Sequence, residues 1–194
     1  MPLIAHTLRA AAAANCLDAV AIAAPEDRWE ALRGLAHEAG FAEVRLSLGG
    51  ERRQDSVAAA LAGCAEDLVC VHDAARPLAP PRLFAGVLAA AEAEGAATTG
   101  VPCVDTIKRI ADGHVVKTLE RGELIATQTP QGFRRELLRE AHAAAQRDQV
   151  AASDDSVLVE RLGVAVAVVP GDERNRKVTH DSDLVWLRAV LEQR

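Results

Sequence analysis

Residues 68–77 of this chain, LVCVHDAARP, carry the pattern that decides its fold. Four apolar residues, typical of a buried strand, are followed by a short polar stretch that ends in a proline. Proline fixes its own φ and favours an extended residue before it, so the chain should turn out of a sheet here. Ligands of open α/β sheets bind at the carboxyl ends of the strands. Asp73 and Arg76 are therefore candidate ligand-binding residues, with an ordinary surface ion pair as the alternative.

Apolar segments on either side of this stretch alternate with amphipathic ones. Continuous apolar strands that alternate with helices predict an α/β fold, in which a mostly parallel sheet is covered by helices on both faces. The predicted strands are residues 19–23, 44–48, 67–71, 96–102 and 164–169, and the predicted helices are residues 27–39, 54–64, 81–94, 134–147, 155–162 and 182–191.

One segment, residues 104–123, carries no helix signal. Two β-prone runs, residues 106–110 and 114–119, flank an Asp-Gly pair, which is a strong hairpin signal. Because an exposed two-stranded hairpin is only marginally stable alone, we expect an arm that packs on another subunit.

The composition fits one globular domain and excludes some classes of function. The 194 residues are 49% hydrophobic but only 3% aromatic, so the core must be built mainly from Ala, Val and Leu. A net charge of −6 argues against binding of nucleic acid or an anionic membrane, since both need a basic surface. The four cysteines lack CxxC spacing and no apolar run approaches a membrane span of about 20 residues, which favours a reducing, cytoplasmic location.

Further polar groups follow predicted strands. A Gly49-Gly50 turn before Ser56 can present backbone N–H groups to a nucleotide, and a tight turn capped by serine is the alternative. Residues 154–156, Asp-Asp-Ser, are first of all a helix N-cap. Lys177 follows the last strand, where it would either offset phosphate charge or remain solvated.

The six histidines show no metal-ligand spacing. His37 and His142 lie on predicted helices, where surface exposure or helix packing is expected. His72 alone adjoins a candidate site.

Taken together, these segments resemble the 2-C-methyl-D-erythritol 4-phosphate cytidylyltransferase family over nearly the whole chain. The resemblance implies a Rossmann-like nucleotidyltransferase domain of residues 1–194, with residues 104–122 as a dimerisation arm. The matching segments are residues 2–8 (PLIAHTL), 49–57 (GGERRQDSV), 71–77 (VHDAARP), 105–109 (DTIKR), Arg121 with 128–133 (QTPQGF), 154–155 (DD), 175–179 (NRKVT) and 183–184 (DL).

The resemblance implies a reaction in which the phosphate of methylerythritol phosphate attacks the α-phosphorus of CTP and expels pyrophosphate. Such transfers depend on positioning and on neutralising phosphate charge, for which Mg²⁺ or another divalent cation is implied. Ser56 would contact the cytidine, and Gly50 and Arg53 would help to build its pocket.

The resemblance also implies how the sugar phosphate is bound. Asp73 would orient the sugar phosphate or the metal shell, and Arg76 and Thr129 would bind the sugar phosphate. Lys177 would stabilise the transferring phosphoryl group.

Two further residues, Thr106 and Arg121, lie on the predicted arm. In the family this arm reaches across a homodimer, so these residues would complete the sugar-phosphate site of the neighbouring subunit. That implication agrees with the independent hairpin prediction.

The chain departs from the family pattern at its start. The family has a first strand, a glycine-rich loop bearing an Arg, and then a Lys before the helix of residues 2–8, whereas here Met1 directly precedes Pro2. Glycine-rich loops cradle triphosphates, so we expect weak CTP binding and unpaired apolar strand edges. A start recorded too late, or a fragment, is the favoured explanation.

Two alternatives remain open from the sequence. One is a sister cytidylyltransferase for another polyol phosphate such as ribitol 5-phosphate, although residues 105–109 fit the first family better. The other is a non-catalytic or inactive domain of this type, which the missing loop supports.

Overall fold

The computed structural model describes residues 1–192, in which helices and strands alternate as the sequence predicts. The helices are α1 (Leu3–Ala12), α2 (Trp29–Ala39), α3 (Arg53–Leu61), α4 (Pro81–Glu94), α5 (Arg135–Arg147), α6 (Asp155–Glu160) and α7 (Asp181–Glu192). The strands are β1 (Ala19–Ala23), β2 (Glu43–Ser47), β3 (Leu68–Val71), β4 (Ala96–Pro102), β5 (Lys108–Ala111), β6 (His114–Thr118), β7 (Ile125–Arg134) and β8 (Ala167–Pro170).

The strands outside the arm form two sheets. Strands β1 and β2 pair in parallel, and the second sheet has the order β3-β7-β4-β8. In that sheet β3, β4 and β8 run in one direction and only β7 is antiparallel to its neighbours. The α/β fold with a mostly parallel sheet is therefore confirmed, with β7 as the exception.

Strand β7 is the element that the sequence analysis missed. It lies between β3 and β4, and residues 128–133 in it are buried. Gly132 is required there, because a Cβ atom at this position would lie 2.3 Å from the carbonyl oxygen of Val87 on α4. The mostly polar segment of residues 127–131 therefore lies within a central strand.

Helix ends follow the predicted signals in part. Gly40 and Gly95 follow α2 and α4 with φ values of 113° and 96°, which glycine adopts without a Cβ penalty. Asp154 caps α6 by accepting from the Val157 N–H, as predicted. The helix predicted from residue 27 begins at Trp29, because Asp27 lies inside the 3₁₀ turn Glu26–Arg28 that precedes it.

Two apolar clusters hold the layers together. One packs α5 and α6 on the second sheet and is centred on Phe133, Leu138 and Leu158, each at most 1% exposed. The other joins α1, α2 and α4 to β2 around Phe41 and Phe84. Both faces of the sheets are therefore covered, as the apolar strands require.

An apolar cavity of about 1040 Å³ lies between β1 and β3. Within residues 1–192, each of these strands is paired on one side only. The cavity separates the two sheets, which share no hydrogen-bonded strand pair in the described part of the chain.

The predicted hairpin is present as β5 and β6. Asp112 and Gly113 both have positive φ, 49° and 76°, which is the requirement of the tight turn that Asp-Gly predicts. From residue 104 to residue 123, every residue except Leu119 is exposed. Among residues 1–192, no helix has both the length and the apolar character needed to cross a membrane.

Candidate active site

Two neighbouring cavities meet at Asp73 and Arg53, which line both of them. The larger is the apolar cavity between β1 and β3, and Ser56 also lines it. The smaller has a volume of about 480 Å³. Its wall includes Arg76, Thr129 and Lys177, so five of the predicted site residues meet at one polar cavity.

Asp73 is the centre of this site because three cations surround it. Arg53 Nε lies 2.8 Å from Asp73 Oδ1, and Lys177 Nζ lies 3.0 Å from Asp73 Oδ2. Arg76 Nε is 3.7 Å from the same Oδ2 atom. Burial alone would raise the pKa of Asp73, but the charges and hydrogen bonds of Arg53 and Lys177 outweigh it and hold the pKa below its usual value. Asp73 is therefore a carboxylate that holds cations at the cavity wall.

Arg53 connects Asp73 to a second carboxylate. Its NH1 atom donates to Asp155 Oδ2 at 2.7 Å, and the Asp155 side chain is only 1% exposed. The predicted role of Arg53 was to build the cytidine pocket with Gly50. The guanidinium binds the two carboxylates and so positions Asp73, and its place in the cytidine pocket stays a prediction.

Gly50 and Ser56 form a closed turn at the start of α3. The Gly50 N–H donates to Ser56 Oγ at 3.0 Å, and Ser56 Oγ lies 3.2 Å from the Arg52 carbonyl oxygen. A Cβ atom on Gly50 would lie 2.4 Å from Asp55 Cβ, so a larger residue would open this turn. Both partners of the predicted nucleotide contact are therefore adjacent, and Ser56 faces the larger cavity.

The hydroxyl group of Thr129 connects the His72 ring to the backbone at Asp73. His72 Nε2 lies 3.2 Å from the Arg76 carbonyl oxygen, and since a carbonyl only accepts, this nitrogen carries the proton. Thr129 Oγ1 then donates to His72 Nδ1 at 3.0 Å and accepts from the Asp73 N–H at 3.0 Å. Thr129 therefore supports the chain at Asp73, and its contact with the sugar phosphate stays a prediction.

His72 is suited to this arrangement because it stays neutral. Burial lowers its pKa from 6.5 to about 4. Its ring packs edge-on against Phe84, with centroids 5.0 Å apart. Although the sequence analysis noted His72 beside the site, only the hydrogen-bond partners show what it does.

Arg76 and Lys177 reach the site together because Asn175 joins their loops. Arg76 NH1 donates to the Asn175 carbonyl oxygen at 2.7 Å, and Asn175 Nδ2 donates to the Thr129 carbonyl oxygen at 2.7 Å. Asn175 is fully buried, and Gln128 accepts a second hydrogen bond from it. Asn175 was part of the resemblance, but its role in placing the two cations was not predicted.

Thr106 and Arg121 are not part of this cluster. They lie at the base of the arm, are exposed, and line neither cavity. The Arg121 guanidinium donates to the Val104 carbonyl oxygen at 2.9 Å, which keeps it on its own arm. Within one chain, the predicted site is therefore divided between the cavity and the arm.

Three carboxylates line the polar cavity, and of these Asp73 is bound to Arg53 and Lys177, whereas Asp154 and Glu160 are the others. Within residues 1–192, no group of three or more His, Cys, Asp or Glu side chains is arranged to hold a metal ion. Asp73 uses two of about four acceptor positions for Arg53 and Lys177, so it retains capacity for a further ligand. Mg²⁺ in phosphate sites is usually held by one or two carboxylates together with the substrate phosphates, and this donor set fits that pattern.

Comparison with known proteins identifies the family to which the chain belongs. The family model of 2-C-methyl-D-erythritol 4-phosphate cytidylyltransferase (IspD) matches residues 1–193. A protein of that name from Acidobacterium capsulatum is 43% identical over 202 residues, which cover 100% of this chain and 84% of the relative.

Solved structures agree with this match. The crystal structure of 4-diphosphocytidyl-2C-methyl-D-erythritol synthase from Anaerococcus prevotii is 26% identical and superposes with a TM-score of 0.91, covering 98% of this chain and 89% of that one. The crystal structure of the cytidylyltransferase from Thermus thermophilus is 43% identical, with a TM-score of 0.70 over 76% of this chain and 72% of that one. The resemblance inferred from the sequence motifs is confirmed, and the chain belongs to the 2-C-methyl-D-erythritol 4-phosphate cytidylyltransferase family.

Proposed function

We propose that this chain transfers the cytidylyl group of CTP to 2-C-methyl-D-erythritol 4-phosphate and releases pyrophosphate. The observation that carries the proposal is the cluster of Asp73, Lys177 and Arg76 at the junction of two cavities. Transfer of a phosphoryl group from one substrate to another requires adjacent binding sites and a shared cationic centre, and this junction supplies both.

In this proposal the nucleotide binds at the end of the larger cavity where Ser56, Arg53 and Asp73 lie. Ser56, whose Oγ accepts from the Gly50 N–H, borders it, and Arg53 and Asp73 form its boundary with the polar cavity. The polyol phosphate occupies the smaller cavity, where Arg76 and Lys177 are the positive groups. The family membership and the division of the cavity walls support this arrangement.

The reaction forms one P–O bond and breaks another. A phosphate oxygen of the polyol phosphate attacks the α-phosphorus, and the bond to the bridging oxygen breaks as pyrophosphate leaves. Lys177 and Arg76 neutralise the charge around the transferring group, which is the main protein contribution to phosphoryl transfer. Asp73 keeps these cations in place through its two oxygens.

Mg²⁺ is part of the proposal, and Asp73 is the side chain that would help to hold it. When bound among the phosphates, such an ion supplies further charge neutralisation.

The arm supports a homodimer in which each chain completes the site of its partner. Val104, Ile110, Val115 and Val116 are between 51% and 75% exposed, which is unusual for a series of large apolar residues on one short hairpin. Thr106 and Arg121 at the arm base would then bind the phosphate of the neighbouring site. The free cysteines are compatible with the cytoplasmic location that we propose.

Sedimentation tests the dimer directly. Ile110→Glu should shift the chain toward the monomer, because a charge would be buried at the arm interface. Val185→Glu is a matched control on α7, where the valine is 70% exposed. Equal behaviour of the two variants would contradict the role of the arm.

The activity is tested by pyrophosphate release. The 194-residue chain is incubated with Mg²⁺, CTP and either methylerythritol phosphate or ribitol 5-phosphate, with a reaction lacking polyol phosphate as the control. The proposal requires release with methylerythritol phosphate alone, at a CTP concentration high enough to offset the weak CTP binding that the sequence predicts. Release only with ribitol 5-phosphate would show that the substrate is wrong, and no release with either would contradict the proposed activity of this chain.

A further inference from the structure

His142 lies in a part of the molecule where an apolar residue would be expected. It occupies the buried face of α5 together with Leu138, Ala141 and Ala145, and it is only 7% exposed. The sequence predicts a surface or helix-packing residue here, whereas the Nε2 atom of His142 lies 3.0 Å from Asp155 Oδ1. A polar contact at this depth calls for an explanation, because burying polar groups is costly unless they are fully paired.

Asp155 is the link between His142 and the active site. Its two carboxylate oxygens have different partners: Oδ1 faces His142, and Oδ2 accepts from Arg53 NH1 at 2.7 Å. The side chain is 1% exposed, so solvent cannot replace a partner that is removed. The orientation of this carboxylate therefore depends on both contacts at once.

Arg53 continues the same chain of contacts. It uses NH1 for Asp155 and Nε for Asp73, and Asp73 in turn uses its other oxygen for Lys177. Each group touches the next through a separate atom, which makes a linear series from α5 to the cavity wall. A rotation of Asp155 would consequently displace the guanidinium that holds Asp73.

We propose that His142 is a positioning residue for the cytidylyl transfer and that it acts on Asp73 through Asp155 and Arg53. This inference rests on the proposed function, since it assigns His142 a task only if Asp73 and Lys177 act on the transferring group. His142 itself lines neither cavity and touches no substrate.

Two substitutions separate positioning from packing. His142→Leu keeps the volume roughly constant but leaves Asp155 Oδ1 without its donor, whereas His142→Gln keeps an N–H donor at a similar reach. We expect His142→Leu to lower kcat about tenfold with little change in KM for CTP, as expected for an unpaired buried acceptor that perturbs the reacting centre. His142→Gln should restore kcat to within about threefold of the unchanged chain.

Leu138→Val is the matched control on the same face of α5. It loosens the same apolar cluster without touching the series of polar contacts, so kcat should stay within about twofold. The proposal is overturned if His142→Leu has no larger effect on kcat than Leu138→Val, or if His142→Gln fails to restore it.

A second measurement does not depend on turnover. The Arg53 Nε–H signal in a nitrogen–proton NMR spectrum, assigned by its loss in Arg53→Lys, reports whether the guanidinium is held. Its exchange with solvent should be at least about tenfold faster in His142→Leu than in His142→Gln or Leu138→Val. Unchanged exchange would overturn the proposal even if the unchanged chain is active. If that chain releases no pyrophosphate, the proposed function fails, and the exchange rates then decide only whether His142 holds the Arg53 guanidinium in place.

Discussion

Arg53 Nε donates a hydrogen bond of 2.8 Å to Asp73 Oδ1, and this contact orients the central carboxylate of the site. The same guanidinium reaches Asp155 at 2.7 Å through NH1. Asp73 is therefore fixed from α3 and α6, leaving its second oxygen for Lys177.

Arg53→Lys should destabilise the fold because an ammonium group cannot reproduce the rigid fork that binds two carboxylates. We expect a fall in the free energy of unfolding of about 1 to 3 kcal/mol, measured by urea denaturation. Arg28→Lys is the control, since Arg28 makes an exposed pair with Asp27 and should change stability by less than about 0.5 kcal/mol. Equal effects of the two substitutions would show that the two contacts of Arg53 contribute little to the free energy of unfolding.

Lys177→Met should remove the cation that we propose to neutralise the transferring phosphoryl group. We expect kcat to fall about 100-fold or more, the range seen when one stabilising donor is removed from a transition state. The affinity for CTP, measured by calorimetry, should change little. Arg28→Met removes an exposed cation elsewhere and should leave kcat unchanged, whereas a similar loss in both variants would point to net charge as the cause.

Arg121→Ala should lower turnover while leaving CTP affinity nearly unchanged, because Arg121 lies on the arm and lines neither cavity. The sharper test mixes this variant with Lys177→Met after unfolding and refolding. If Arg121 completes the site of the partner subunit, each mixed dimer contains one intact site and one that lacks both residues. Mixed dimers make up half of a random population, so about a quarter of the full activity returns. No recovery would mean that Arg121 acts in its own chain or that no such dimer forms.

The sequence predicted most elements of the fold because their signals are local. Strand β3 is a continuous apolar run, α4 begins at Pro81 and is closed by Gly95, and the arm turns at Asp112 with Gly113. Strand β7 escaped because its residues neither alternate nor form an apolar run, and a proline usually argues against a central strand. Its place between β3 and β4 is set by packing against α4, which no local pattern reports.

The site could be predicted as a set of residues but not as a set of contacts. Motif resemblance selected Asp73, Arg76 and Lys177, and they meet at one cavity. The partner of Arg53 could not be read in the same way, because Asp155 is 102 positions away in the sequence. For His142 a signal was present, since its spacing from Leu138 places it on the buried face of α5.

His72→Gln should make the stability less sensitive to acid. Burial lowers the pKa of His72 from 6.5 to about 4, so the unfolded chain takes up a proton below about pH 6.5 and the folded chain does not until about pH 4. The free energy of unfolding therefore decreases as the pH is lowered through this window, and this residue accounts for up to about 3 kcal/mol of the decrease. Glutamine can donate to the Arg76 carbonyl oxygen and accept from Thr129 without titrating.

Urea unfolding of both proteins between pH 7 and 4.5 measures this contribution as the change in their stability difference. Phe84→Leu is the control, because it loosens the packing around the His72 ring and removes no titrating group. A stability difference between His72→Gln and the unchanged chain that stays constant over this range would contradict the buried, neutral state of His72.

Two glycine-to-alanine substitutions should have opposite effects on stability. Gly34 lies within α2, where an added Cβ would meet no atom within 4 Å, so Gly34→Ala should stabilise the fold by about 0.5 to 1 kcal/mol. At Gly132 the same atom would lie 2.3 Å from the carbonyl oxygen of Val87, and neither backbone can move easily. Gly132→Ala should therefore cost about 3 kcal/mol or more in thermal or urea unfolding. Because the residue change is identical, the contrast isolates the close approach of β7 to α4, and a Gly132→Ala protein as stable as the unchanged chain would contradict that packing.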